Sequence, residues 1–244
     1  MHKYTFREHF LELKQRIIKI LAFFVLVFLV SYFYSETIYQ ILIEPLASIG
    51  NSKEKIRKVI YTGLAEAFLT YLKLSLFTAF LLTMPIISWE LYRFIAPGLL
   101  KTEKKIAAFA LFLSPILFFI GSFFVFYLVM PRAWYFFLSF ENTGTILPLI
   151  LEARISEYLN LVMQLITVFG LAFQMPIIMV ILNILHLVSS KALAKKRRLA
   201  IVINFIMAAI FTPPDVLSQI ALALPLILLY EVSIIMCKFI ENRG

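Results

Sequence analysis

Five polar side chains stand out against a greasy background: Glu12, Glu103, Gln174, Asp215 and Glu231. Two carboxylates on one face of a membrane could each take a guanidinium in a bidentate, charge-assisted contact. Hydrogen bonds to charged groups contribute about 1.5–3 kcal/mol each, more than an exposed ion pair. Glu12 lies in TFREHFLELKQRI, residues 5–17, where Thr5 and Glu8 read as a capping box that starts a helix. Phe6, Phe10, Leu13 and Ile17 then share one face of it, with Glu12 off that face and Arg16 one turn on. The plainer reading of Glu12 is an exposed helical pair with Arg16, worth about 0.3–0.5 kcal/mol. Glu103 is the only acid of LLKTEKK, a loop otherwise committed to positive charge. It either pairs with a neighbouring lysine or faces an incoming cation. Glu231 is a charge inside an apolar segment, so it is a functional group by default or a partner for a neighbouring helix. Gln174, in FGLAFQMP, can hydrogen-bond another helix at mid-span. Asp215 closes the turn TPPD, where its plainer role is to bond nearby backbone amides.

The residue inventory excludes most enzyme chemistry. There is no His-Glu-x-x-His, no Gly-x-Ser-x-Gly and no Walker loop. Asp215 is the sole aspartate, which rules out a paired-aspartate intramembrane protease. The three histidines, His2, His9 and His186, fall in loops or at ends, and Cys237 is the single cysteine. No metal site, disulfide or cofactor is implied.

The elements that must position these groups are membrane helices. Of 244 residues, 62% are hydrophobic and 15% charged, where a soluble domain is nearer half and a quarter. Six apolar segments are expected at about 17–35, 67–89, 106–130, 158–188, 199–212 and 216–237, after an N-terminal helix over 5–16. The fifth amounts to only about 21 Å of helix at 1.5 Å per residue, short of a hydrocarbon core of about 30 Å. Sixteen lysines and arginines fall on the side of the N-terminus and six on the other, with Lys73 left inside the second segment. The positive-inside rule then puts both termini in the cytoplasm and explains the net charge of +9 without nucleic acid. Pro85, Pro115, Pro176 and Pro225 interrupt four of the segments and favour bent helices with a concave surface. A cleaved signal peptide is disfavoured by Glu8 and Glu12 in the charged stretch and by bulky SYFYSETIY where small residues should stand. The expected fold is an all-α integral membrane protein of six kinked helices, the last two short, forming a concave bundle with both termini inside.

HFLELKQRI, EPL, MPIISWELYRFIAPGLLKTEKK, FGLAFQMP and TPPDVLSQIALALPLILLYE together resemble the TatC family, the core subunit of the twin-arginine translocase. The likeness spans nearly the whole chain, and RFIAPGL and TPPDVLSQ are its specific parts. It implies a protein of an energy-transducing inner membrane that binds the twin-arginine signal peptides of folded precursors at its cytoplasmic face. It also implies assembly with TatA- and TatB-type single-span subunits, and with further copies of itself, to export those precursors on the proton-motive force. The family's signal site uses the acid of a His-x-x-Glu-Leu motif, matched by His9, Glu12 and Leu13, and the acid of the first cytoplasmic loop, matched by Glu103. Phe94 and Pro97 match positions that shape that site, while Pro45, Asp215, Gln219 and Glu231 match positions of structural or assembly importance. Gln174 stands where the family usually carries Glu, Lys14 where Arg is usual, and Thr102 where His is common. The alternative from another class is a small-molecule secondary transporter with Glu231 and Gln174 as midplane ligands.

Overall fold

The chain is described from a computed structural model, which covers residues 6–50, 58–142, 147, 151–211 and 216–242. The expected Thr5 cap and the TPPD turn with Asp215 lie outside the described residues, as does the side chain of His9. Every element of length among the described residues is helical: α1 (Phe6–Phe33), α2 (Ser35–Gly50), α3 (Glu66–Ile95), α4 (Lys101–Phe124), α5 (Met130–Leu138), α6 (Ile155–Ala172), α7 (Met175–Ile184), α8 (Ser190–Lys195), α9 (Arg197–Phe211) and α10 (Val216–Glu241). Among the described residues, five stretches are long and apolar enough to cross a membrane: Phe10–Phe33, Glu66–Gly98, Glu103–Leu138, Ile155–Ile184 and Leu222–Glu241. The fifth expected segment forms α9, whose 15 residues rise about 22 Å. The 16-residue α2 between the first two long helices was not foreseen. Its Leu42 and Leu46 are buried, and it bends back against the bundle with Pro45 inside it.

The breaks follow from proline chemistry. Pro176 has no N–H to give to the carbonyl of Ala172, and the long fourth segment parts there into α6 and α7 across Phe173 and Gln174. Pro131 follows a π-helical stretch, Val125–Val129, that joins α4 to α5. Arg132 donates to the Leu128 carbonyl at 2.8 Å, satisfying an acceptor at that irregularity. Pro85, Pro115 and Pro225, by contrast, stay inside single helices.

Among the described residues the core has two centres. One surrounds α6, where Leu159, Val162, Ile166 and Phe169 pack on Val125, Met130 and Trp134 and on Leu222 and Leu226 of α10. The other surrounds α7, where Ile177, Val180 and Ile184 meet Ala107 and Leu111 of α4 and Ile234 and Cys237 of α10. The approach of α4 to α6 is close enough to need glycine on both sides. A Cβ at Gly121 would stand 2.8 Å from the Phe169 carbonyl oxygen, and one at Gly170 would stand 2.6 Å from the Phe118 ring. Helix α1 sits at the edge and packs mainly on α3. Its less exposed line is Glu12, Arg16, Ile20, Phe24 and Phe28, at spacings of four. The apolar line expected from sequence is the outward one, with Phe10 61% and Ile17 53% exposed.

The end away from the N-terminus is tied by Glu66, the first residue of α3. Its carboxylate accepts from the Thr62 and Gly63 amides at 2.9 and 3.1 Å, from Ser156 Oγ at 2.5 Å and from Arg154 Nη2 at 3.2 Å. The hydrogen bond from Arg154 to Glu66 is the main reason the guanidinium is held above its usual pKa. Ile60 completes the tie, bonding backbone to backbone with Ala153 and Ile155 at 3.0 and 2.9 Å.

Candidate functional site: two carboxylate sites at the basic end

The end that carries the N-terminus of α1 and the start of α4 holds the acids expected to meet cations. Glu12 projects from the inner line of α1 and is engaged by Arg16, whose Nε lies 3.2 Å from Glu12 Oε1 and whose Nη2 bonds the same oxygen. The same guanidinium reaches across to α3. Its Nη1 donates to Glu90 Oε2 at 2.8 Å, and its Nη2 donates to the Arg93 carbonyl at 3.0 Å. Arg93 Nη1 lies 3.8 Å from the other oxygen of Glu90. The group is largely buried, with the Arg16 side chain 12% and the Glu90 side chain 8% exposed, while Glu12 keeps 26%. A pair this shielded from water is stronger than the exposed helical pair read from sequence.

Glu90 belongs to the site and was missed. It stands one residue beyond the expected second segment and one turn before Phe94, in SWELYRF. An acid at the end of an apolar run was the available signal, but nothing in the sequence joins position 90 to position 16. Phe94 is half-buried near the end of α3, and Pro97 is exposed in the 3₁₀ turn Ala96–Gly98 that follows. Leu13, 37% exposed, points away from this group.

Glu103 occupies a separate position at the start of α4. Its carboxylate accepts the Leu100 amide at 2.8 Å, the acid half of a capping box, and gains from the helix dipole. From sequence it pairs with a lysine or an incoming cation; the structure adds that the same carboxylate caps α4. Its other oxygen lies 3.8 Å from His186 Nε2. His186 follows α7 at φ 58, the left-handed position that usually ends a helix with glycine. Glu103 and His186 share a cavity of about 450 Å³ with Leu100, Asn183, Ser189 and Glu241. Glu241, also missed, ends α10 and accepts from Asn183 Nδ2 and the Ser190 amide, both at 2.7 Å, and from Ser190 Oγ. Glu12 and Glu103 thus lie at one end of the bundle, on either side of the turn from α3 to α4, each in its own environment.

The other described candidates sit where helices meet. Gln174 joins the α6–α7 break to α4: its Nε2 donates to the Ser114 carbonyl at 2.9 Å, and its Oε1 accepts from Ser114 Oγ at 2.5 Å. Ser88 of α3 extends the chain to Ser114 Oγ at 3.1 Å. Gln219 of α10 donates to the Phe205 carbonyl of α9 at 3.3 Å. Pro45 is buried in α2, three residues after Leu42, whose carbonyl accepts from the Tyr158 hydroxyl at 2.7 Å. Glu231 meets Arg197 Nη2 at 2.9 Å, at the first residue of α9 and about three turns before the end of α10.

The profile of Sec-independent protein translocase protein (TatC) matches residues 8–225. The TatC of Rickettsia prowazekii is 60% identical over 242 residues, covering 99% of this chain and 96% of that protein. The chain belongs to the TatC family. The TatC of Magnetococcus marinus is 39% identical over 238 residues, covering 97% and 84%. The fold agrees with a crystal structure described as the twin arginine translocase receptor TatC in DDM, with a TM-score of 0.77, 31% identity, and coverage of 94% of this chain and 99% of that one. Membership in the TatC family makes it a multi-pass membrane component of a Sec-independent translocase. The transporter alternative finds no support: both of its proposed ligands are engaged, Gln174 by Ser114 and Glu231 by Arg197.

Proposed function

We infer that the chain is the receptor and core subunit that reads twin-arginine signal peptides for this translocase. The observation that carries this is the placement of Glu12 and Glu103 at one end of the bundle, flanking Phe94 and Pro97. The charge asymmetry supports a cytoplasmic placement of that end with both termini inside, and family membership supports an energy-transducing inner membrane. One arginine of the signal docks at Glu12 and the other at Glu103, in planar, charge-assisted contacts that lysine does not reproduce. The apolar part of the signal lies along the exposed helix faces beside them. TatA- and TatB-type single-span subunits, and further copies of this chain, complete the translocase. No nucleotide-binding loop is present in the sequence, and a membrane potential supplies about 2.3 kcal/mol per charge per 100 mV.

The test is crosslinking combined with co-purification. A photoreactive group beside the signal's arginines should label the segments carrying Leu13 and Phe94, and single-span subunits should co-purify with the chain. Labelling confined to α9 and α10, or equal labelling by a signal with two lysines, would contradict the assignment.

A further inference from the structure

Glu12 already holds a guanidinium. Arg16 spends Nε and Nη2 on Glu12, Nη1 on Glu90 and a second Nη2 contact on the Arg93 carbonyl. A planar, bidentate contact uses both Glu12 oxygens, including the Oε1 that holds Arg16, so an arginine arriving from outside must exchange with Arg16 there. The two acids that hold Arg16 differ in access: the Glu12 side chain is 26% exposed, and that of Glu90 is 8%. Only Glu12 can be handed to an incoming ligand. Releasing it would strand a largely buried cation unless another carboxylate kept its charge compensated, and unpaired buried charge is strongly disfavoured. Glu90 lies where that compensation is needed, 2.8 Å from Nη1.

We propose that Arg16 is an internal occupant of the Glu12 arginine site and that Glu90 is the positioning residue that retains Arg16 when a substrate arginine takes its place. Arg16 sets a threshold for binding: a weakly bonding cation such as lysine does not displace it, whereas a guanidinium making the same planar contacts does. Glu90 lowers that threshold by making the displaced state tolerable. This rests on the reading of Glu12 as a signal-binding residue.

The experiment measures the affinity of a fluorescent twin-arginine signal peptide for the full chain in nanodiscs. Glu12→Gln should weaken binding about tenfold or more, the loss of one charge-assisted contact. Arg16→Gln removes the competitor and should tighten binding about fivefold, with reduced preference over a lysine-pair peptide. Glu90→Gln leaves Arg16 dependent on Glu12 and should weaken binding about tenfold. The double variant Arg16→Gln with Glu90→Gln has nothing to retain and should bind at least as well as the wild type. Should Arg16→Gln fold poorly, Arg16→Lys keeps the charge without the planar fork and should tighten binding about twofold. Weaker binding in the Arg16 variants, or a double variant as weak as Glu90→Gln, would overturn the proposal while a loss in Glu12→Gln leaves the site reading intact. Unchanged affinity in Glu12→Gln would overturn the site reading and this proposal with it.

Discussion

Arg16 of α1 and Glu90 of α3, 74 residues apart in the chain, meet at 2.8 Å in a largely buried ion pair. It ties the end of the edge helix to the bundle, where α1 otherwise packs almost only on α3.

Glu90→Ala removes one acceptor from that pair. Hydrogen bonds to charged groups contribute about 1.5–3 kcal/mol, and Glu12 keeps part of the guanidinium satisfied. The expected loss is about 2 kcal/mol in unfolding free energy, read by denaturation in detergent, with earlier proteolysis within α1.

Gln174→Leu is expected to cost about 1–3 kcal/mol, because Ser114 loses both partners it finds in the amide. The change should lower Tm without altering signal affinity, since Gln174 is part of the α4 to α6–α7 joint. A large loss of affinity at unchanged Tm would place Gln174 in the binding site instead.

Gly170→Ala puts a methyl group 2.6 Å from the ring of Phe118, which is fully buried. Overpacking of this kind costs about 1–3 kcal/mol. The pair Gly170→Ala with Phe118→Leu should recover part of it, checked by thermal unfolding of the single and double variants.

Glu231→Gln should change unfolding free energy by less than about 1 kcal/mol, because its pair with Arg197 is well exposed to solvent or headgroups. The same variant reconstituted alone in liposomes should leave small-solute uptake at the protein-free level.

The sequence made the helices legible because runs of apolar residues and the positive-inside count need no partner to be read. Pro176 marked the α6–α7 break, and Gln174 was read as a bond to another helix before the helix was known. What stayed hidden depends on pairs distant in the chain. Glu12 was placed off the apolar face of its helix, which is correct. That apolar face, however, turns outward, and the line through Glu12 and Arg16 is the one that packs. Lipid offers apolar side chains a home as good as the protein core, so hydrophobicity alone does not say which side of a membrane helix faces its neighbours. Glu90 and Glu241 were invisible for the same reason, since their roles exist only through Arg16 and through Asn183 and Ser190. Helix α2 escaped because 16 residues interrupted by Pro45 look too short and too broken to cross a bilayer.

The central claim is that Glu12 and Glu103 each receive an arginine of the signal. The most direct measurement is the affinity of the full chain for a twin-arginine signal peptide, with and without Glu12→Gln combined with Glu103→Gln. Two charge-assisted contacts of about 1.5–3 kcal/mol each predict a loss of about a hundredfold or more, and a two-lysine signal peptide should lose most of the same affinity for the wild-type chain. Wild-type affinity in the double variant, with the fold intact by Tm, would contradict the account.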